Sequence, residues 1–151
     1  MYNREKAVNY ALEWALKRNP KYYNYDKIGG DCTNYISQCL FAGTGEMNYE
    51  GYGWYYKDAN NKSPSWTGVE FLYNFLISNK GAGPKGKVIS KEELEKGDLI
   101  QLSFNGSIYG HTLVVSKLGN NEIFVCAHTV DAKNRSLNTY NYEKIRYVKI
   151  S

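Results

Sequence analysis

The spacing of apolar residues changes once along the chain, near residue 97, and that change limits the folds open to it. Before that point apolar residues recur at three- and four-residue intervals, which gives a helix one apolar stripe. After it they alternate with polar residues, which gives a strand one apolar face. Residues 4–18 carry Ala7, Tyr10, Ala11, Trp14 and Ala15 on one stripe, with Asn3 placed to cap the start and Asn19-Pro20 to end the helix. A second helix starts at Cys32. Ile36, Cys39 and Leu40 share its face, Asp31 is a natural N-cap, and Gly43 and Gly45 mark the stop. Residues 46–65 read as loop. Thr67 and Glu70 are spaced as a capping box, flanked by Trp66 and Phe71 as a hydrophobic staple, for a third helix carrying Val69, Leu72, Tyr73 and Leu76 and closing at Gly81. After the turn-rich GAGPKGK, Ser90 and Glu93 repeat the box for one short turn.

Strands are predicted over 97–104, 110–118, 122–130 and 144–150, with GNN as hairpin chemistry between the second and third. Helices followed by strands predict an α+β fold, its N-terminal helices packed on a C-terminal antiparallel β-meander. A chain of 151 residues fits a single domain spanning 1–151, long enough to bury a core without staples.

Composition narrows the function classes. No run approaches the 18 apolar residues of a membrane span, so no membrane insertion is expected. The net charge of +4 is spread without a Lys/Arg block, which argues against nucleic acid and leaves a mild pull toward a polyanionic surface such as a bacterial wall. The opening MYNREKAVNY has no apolar run of signal-peptide type, so synthesis in the cytoplasm is expected. Fifteen tyrosines suit a surface that grips sugars or peptides.

The stretch GGDCTNYISQCL (29–40) holds two of the three cysteines, Cys32, Cys39 and Cys126. Cys32 is open to four readings: core thiol, half a disulfide, metal ligand or nucleophile. Two helical turns separate it from Cys39, about 10 Å along the axis, too far for a bridge. The spacing is also wrong for a C-x-x-C zinc site. Cys39 reads as core. Cys126 falls two residues before His128, on the same strand face, and reads as a packed thiol. A thiol at a helix start is favoured as thiolate by free N–H groups and the helix dipole. The chain has two histidines, His111 and His128, on neighbouring predicted strands. If the hairpin pivots at 119–121, they are cross-strand neighbours on one face, one as base and the other orienting it. The same three residues could alternatively make a zinc site.

GGDCTNYISQCL also resembles the nucleophile motif of the putative amidase domain family, among the papain-like cysteine hydrolases and close to the CHAP and NlpC-type cell-wall enzymes. The resemblance extends over nearly the whole chain, through YNREKAVNYALEWALKRNPKY, GWYY with SPSWTGVEFLYNFL, KGDLIQL, GHTLVVS and AHTVD. It implies a papain-like catalytic domain with Cys32 as nucleophile, His111 as general base and His128 as orienter, with Asp131 as rival for that third place. NlpC-type relatives can use a histidine there, CHAP relatives more often Glu or Asn. Tyr25 resembles the tyrosine lining the cleft of NlpC-type enzymes.

The reading that follows is a monomeric, metal- and cofactor-free cysteine hydrolase cutting an amide bond in peptidoglycan. It would be the catalytic domain of a phage endolysin or autolysin that reaches the wall after release or secretion. Tyr25, Asp31, Trp54 and Tyr55 are the expected substrate contacts, with Tyr22, Tyr23 and Trp66 also candidates for the groove. The rival readings are a cysteine protease or deamidase with a protein substrate, and an inactive wall-binding module of the same fold.

Overall fold

The computed structural model covers residues 1–151. It is α+β, with helices on one face of a six-stranded antiparallel sheet. Helix α1 spans Arg4–Trp14, and Asn3 caps it as expected, its side chain accepting from the Lys6 N–H at 3.0 Å. It ends four residues before the predicted 18. The Trp14 carbonyl is taken by His128 at 2.7 Å, and Arg18 leaves the helical path to bind Asp26 and Asp131. Helix α2 spans Cys32–Thr44 and ten of its residues are buried, so it is the central helix rather than a surface one. Gly45 ends it at φ +72°, as expected of a left-handed cap. Gly43 has a different role: a Cβ there would sit 2.4 Å from the Tyr2 ring.

The 46–65 segment is not all loop. Strands β1 (Tyr56–Asp58) and β2 (Asn61–Lys62) form a small hairpin. The predicted box at Thr67 and Glu70 does not form. Gly68 breaks the helix there, giving a one-turn α3 (Pro64–Thr67) and a longer α4 (Val69–Ser78). Thr67 instead accepts from Lys62, and Glu70 pairs with Arg146. The staple fails as well: Trp66 is fully buried, whereas Phe71 is exposed. The box at Ser90 and Glu93 is present on its single 3-10 turn.

The sheet holds β3 (Gly86–Ile89), β4 (Leu99–Ser103), β5 (His111–Gly119), β6 (Glu122–Ala127), β7 (Ala132–Ser136) and β8 (Lys144–Ile150), in the order β3-β8-β4-β5-β6-β7. The β4-β5-β6 meander is as predicted. β3, only four residues long, and β7, largely polar, were not legible in the alternation. Each face of the sheet covers its own core. Leu99, Val114, Cys126, Val148 and Ile150 pack against α1, α2 and α4. Ile100, Leu102, Leu113, Val115 and Val125 face the other way, under Leu94, Leu137 and Tyr140. No helix is long and apolar enough to cross a membrane.

The β5–β6 register decides what meets at the site. Asn120 and Asn121, at φ +49° and +62°, make the tight turn, and Gly119 pairs with Glu122. The ladder shifts between Val115 and Lys117, so that Val114 pairs with Cys126. Continued one strand-end further, that register sets Thr112 rather than His111 opposite residue 128. A one-residue slip moves a side chain to the other face of a sheet. The two histidines, expected as cross-strand neighbours, therefore lie on opposite faces.

Gly43→Ala tests the packing of α2. The Tyr2 ring cannot easily yield, because its hydroxyl donates to the Gly97 carbonyl at 2.7 Å. Overpacking of this kind costs about 1–3 kcal/mol, against about 1 kcal/mol of helix propensity gained. We expect a lower melting temperature; an unchanged or higher one would show that Tyr2 is not pinned.

Candidate active site

Asp31 is the hinge of the site. Its position is that of an N-cap, but its side chain makes no capping hydrogen bond to α2. The carboxylate, 1% exposed, turns away from the helix. It accepts from the Tyr25 N–H at 2.8 Å, Asn34 Nδ2 at 2.9 Å and His128 Nδ1 at 2.6 Å, with Arg18 Nε at 3.8 Å. The Asp31 N–H in turn donates to Thr129 Oγ1 at 3.0 Å. The first backbone bond of α2 runs from the Tyr35 N–H to the Asp31 carbonyl. The N–H groups of Cys32, Thr33 and Asn34 donate to no protein acceptor, which leaves them oriented for a negative charge.

Cys32 is the first residue of α2, 8% exposed, and all three cysteines are free. Its Sγ lies 3.6 Å from Thr33 Oγ1, which is 3.2 Å from Thr112 Oγ1. Neither histidine is among its hydrogen-bond partners. Cys39 and Cys126 lie in the core beneath α2. Burial holds the Cys39 thiol well above its ordinary range, so it is inert.

His128 does not orient His111. Its ring stacks on Tyr35 with centroids 4.0 Å apart, and both nitrogens face acceptors: Asp31 on one side and the Trp14 carbonyl on the other. Arg18 Nη1 also approaches Nε2, at 3.2 Å. A ring with partners on both sides is held in place rather than turned toward His111. Asp131, the rival for that place, pairs with Arg18 at 2.8 Å and reaches neither Cys32 nor His111. Burial works against the charge on Arg18, but the hydrogen bonds it donates to Asp131 and Asp26 more than offset it, and the same bond lowers Asp26. Asp31, His128, Arg18, Asp131 and Asp26 thus form one clamp across the start of α2, the 18–31 loop and the end of β6.

His111, the first residue of β5, shares its face with Leu113 and lies against Phe104 and Tyr140. Its nitrogens make no hydrogen bonds within the chain. Burial, reinforced by Arg135, pushes its pKa down to about 4, so it is neutral at pH 7. An imidazole kept neutral there is not half of an ion pair with Cys32. His111, His128 and Cys32 do not converge as metal ligands.

Of the expected substrate contacts, Trp54 is excluded by burial. It is a core residue with no exposed surface, packed at a tilt against Trp66 and donating to Ser37 Oγ at 3.1 Å. Asp31 is excluded because its carboxylate is buried and internally paired. Tyr55 is half-buried against Tyr49. Tyr25 is buried beside Asp31, and its hydroxyl has no partner. Burial raises that phenol to about 12, so it is a donor throughout the working range. A cleft of about 650 Å³ lined by Tyr52, Phe71, Asn74 and Lys80 includes neither Cys32 nor a histidine. Sequence reasoning missed Thr33, Thr112, Arg18 and Thr129. For Thr112 the signal was alternation itself, once the bulge in β5 is placed.

The class and its membership follow. A family model described as "Putative amidase domain" matches residues 1–151, and the chain belongs to that family. It is similar to the uncharacterized protein YhbB of Bacillus subtilis (strain 168), 39% identical over 89% of this chain and 43% of that protein. It is also similar to the uncharacterized protein YjcM of the same strain, 28% identical over 88% of this chain and 32% of that one. The chain thus spans less than half the length of these relatives. No solved structure matches.

The His111 environment has a measurable consequence. Its folded value of about 4 lies below the ordinary 6.5, so between those values the unfolded chain binds the extra proton. The contribution to stability is complete above pH 6.5 and falls away as pH drops toward 4, by about 3 kcal/mol at the limit. Denaturant unfolding of the His111→Gln variant should show a flatter loss of stability across that interval than the parent. Parallel curves would place the ring in a more polar setting.

Proposed function

We propose that the chain is a cysteine amidase that hydrolyses an amide bond of bacterial peptidoglycan, either the lactyl amide joining sugar to stem peptide or a bond within the peptide. The observation that carries this reading is the free thiol of Cys32 at the first turn of α2, beside three N–H groups without acceptors, in a chain of the amidase family. The thiolate attacks the carbonyl carbon and the oxyanion is held by those N–H groups. The C–N bond breaks, the amine leaves with a proton, and water hydrolyses the thioester. His111 is the proposed proton carrier: it is neutral at pH 7, its nitrogens are free, and it adjoins Thr112, which touches Thr33. Its ring must swing around the end of β5 to reach the sulfur.

His128, with Asp31, is the proposed positioning pair rather than the third catalytic residue. The exposed Tyr23, whose ring meets that of the buried Tyr25 edge to face at 4.9 Å, is the proposed contact for glycan or stem peptide. A thiol-bearing helix packed across an antiparallel sheet also supports the papain-like reading of the fold. Action at the wall follows from the substrate.

Two outcomes test the reaction. Digestion of purified peptidoglycan should release new amino termini, survive EDTA and stop with iodoacetamide; loss in EDTA restored by zinc would sink the thiol mechanism. Cys32→Ala should remove all hydrolysis with the melting temperature kept, and His111→Gln should lower the rate by about a hundredfold or more, the usual worth of a general base. Full activity in His111→Gln would reassign the proton carrier. Mass spectrometry of the fragments identifies the bond.

A further inference from the structure

A buried chain of hydrogen bonds runs from the rim of the sheet to the sulfur. Arg146 donates through Nε at 2.9 Å and Nη2 at 2.6 Å to Gln101 Oε1. Arginine only donates, so this pair fixes the amide, carbonyl toward Arg146 and NH₂ inward. Gln101 Nε2 then donates to Thr112 Oγ1 at 3.3 Å and to the Val69 carbonyl at 3.1 Å. Thr112 meets Thr33 at 3.2 Å, and Thr33 meets Cys32 Sγ at 3.6 Å. Gln101, Thr112 and Thr33 are each at most 1% exposed. Arg146 is held by Glu70 at 2.8 Å and lies over the rings of Tyr73 and Tyr109.

We propose that Thr33, Thr112, Gln101 and Arg146 form a polar relay that stabilises the Cys32 thiolate, a set of positioning residues in place of the imidazole expected at this point of the sheet. The inference rests on Cys32 being the nucleophile. While the sulfur is a thiol, the two hydroxyls can point either way. Once it is a thiolate, a single direction satisfies every link: Thr33 O–H toward sulfur, Thr112 O–H toward Thr33, the Gln101 NH₂ toward Thr112. No proton travels along the relay, because Gln101 cannot ionise; the hydroxyls only turn. Arg146 contributes through polarisation, since donors in series strengthen one another in a low-dielectric interior.

The test is the pH dependence of Cys32 alkylation by iodoacetamide, followed at that residue by peptide mass spectrometry. Thr33→Val should move the midpoint upward by about one pH unit, the loss of one hydrogen bond to a charged group. Thr112→Val and Gln101→Leu should each move it upward by about half a unit, and Thr33→Ser should restore the parent profile. Unchanged midpoints in folded variants, or Thr33→Ser behaving as Thr33→Val, would overturn the relay. Should Thr112→Val fail to fold, Arg146→Met at the rim decides, upward shift for the relay and no shift against it. Alkylation reads the thiol whether or not any amide is cut. A flat result with hydrolysis intact therefore removes the relay and spares the function, and a shifted profile without hydrolysis does the reverse.

Discussion

The hydrogen bond between Asp31 and His128, 2.6 Å long and almost wholly buried, ties the start of α2 to the end of β6. The placement of the thiol depends on it. A buried pair of this kind contributes little beyond what an apolar pair would, but removing one partner leaves an uncompensated charge at a cost of about 3–5 kcal/mol. The clamp also meets the end of α1: the Trp14 carbonyl, which closes a last tight turn with the Lys17 N–H, lies 2.7 Å from His128 Nε2. The clamp explains the uncapped start of α2. A carboxylate committed to His128, Tyr25 and Asn34 cannot also cap the helix, so the first N–H groups stay free beside the sulfur.

That commitment separates two roles that a nucleophile's neighbour could combine. A capping Asp31 would quench the helix end and bring negative charge onto the donors an oxyanion needs. An Asp31 turned toward His128, with Arg18 at 3.8 Å, leaves the dipole of α2 to act on Cys32. Thr129 has a part in this at some local cost. It sits at φ +49°, a region unfavourable to a β-branched residue, while its hydroxyl accepts the Asp31 N–H.

Helix and strand types were legible wherever one periodicity held over many residues, as in α1, α2, β5 and β8. Legibility failed where tertiary contacts outbid local signals. Thr67 and Glu70 have the spacing of a capping box, yet Gly68 lies between them, and each side chain finds a stronger distant partner in Lys62 and Arg146. Trp54, set among glycines and tyrosines, reads as a surface aromatic, but packing against Trp66 and a bond to Ser37 take it into the core. The place of Cys32 at the start of a helix was legible, and α2 begins there. The partner of His128 was not, because pairing of residues 31 and 128 leaves no local trace.

The hardest feature to foresee was the register of β5 against β6, and it has the largest chemical consequence. The shift between Val115 and Lys117 determines which of two adjacent residues, His111 or Thr112, looks toward α2. With Thr112 inward, the Cys32 sulfur meets the Thr33 hydroxyl, backed by that of Thr112. With His111 outward, an imidazole kept neutral by burial waits on the far face. Under the proposed mechanism, a nucleophile solvated by fixed donors and a base held apart from it would separate stabilisation of the thiolate from removal of its proton. The motion of the first residue of β5 would then be the step on which turnover hangs.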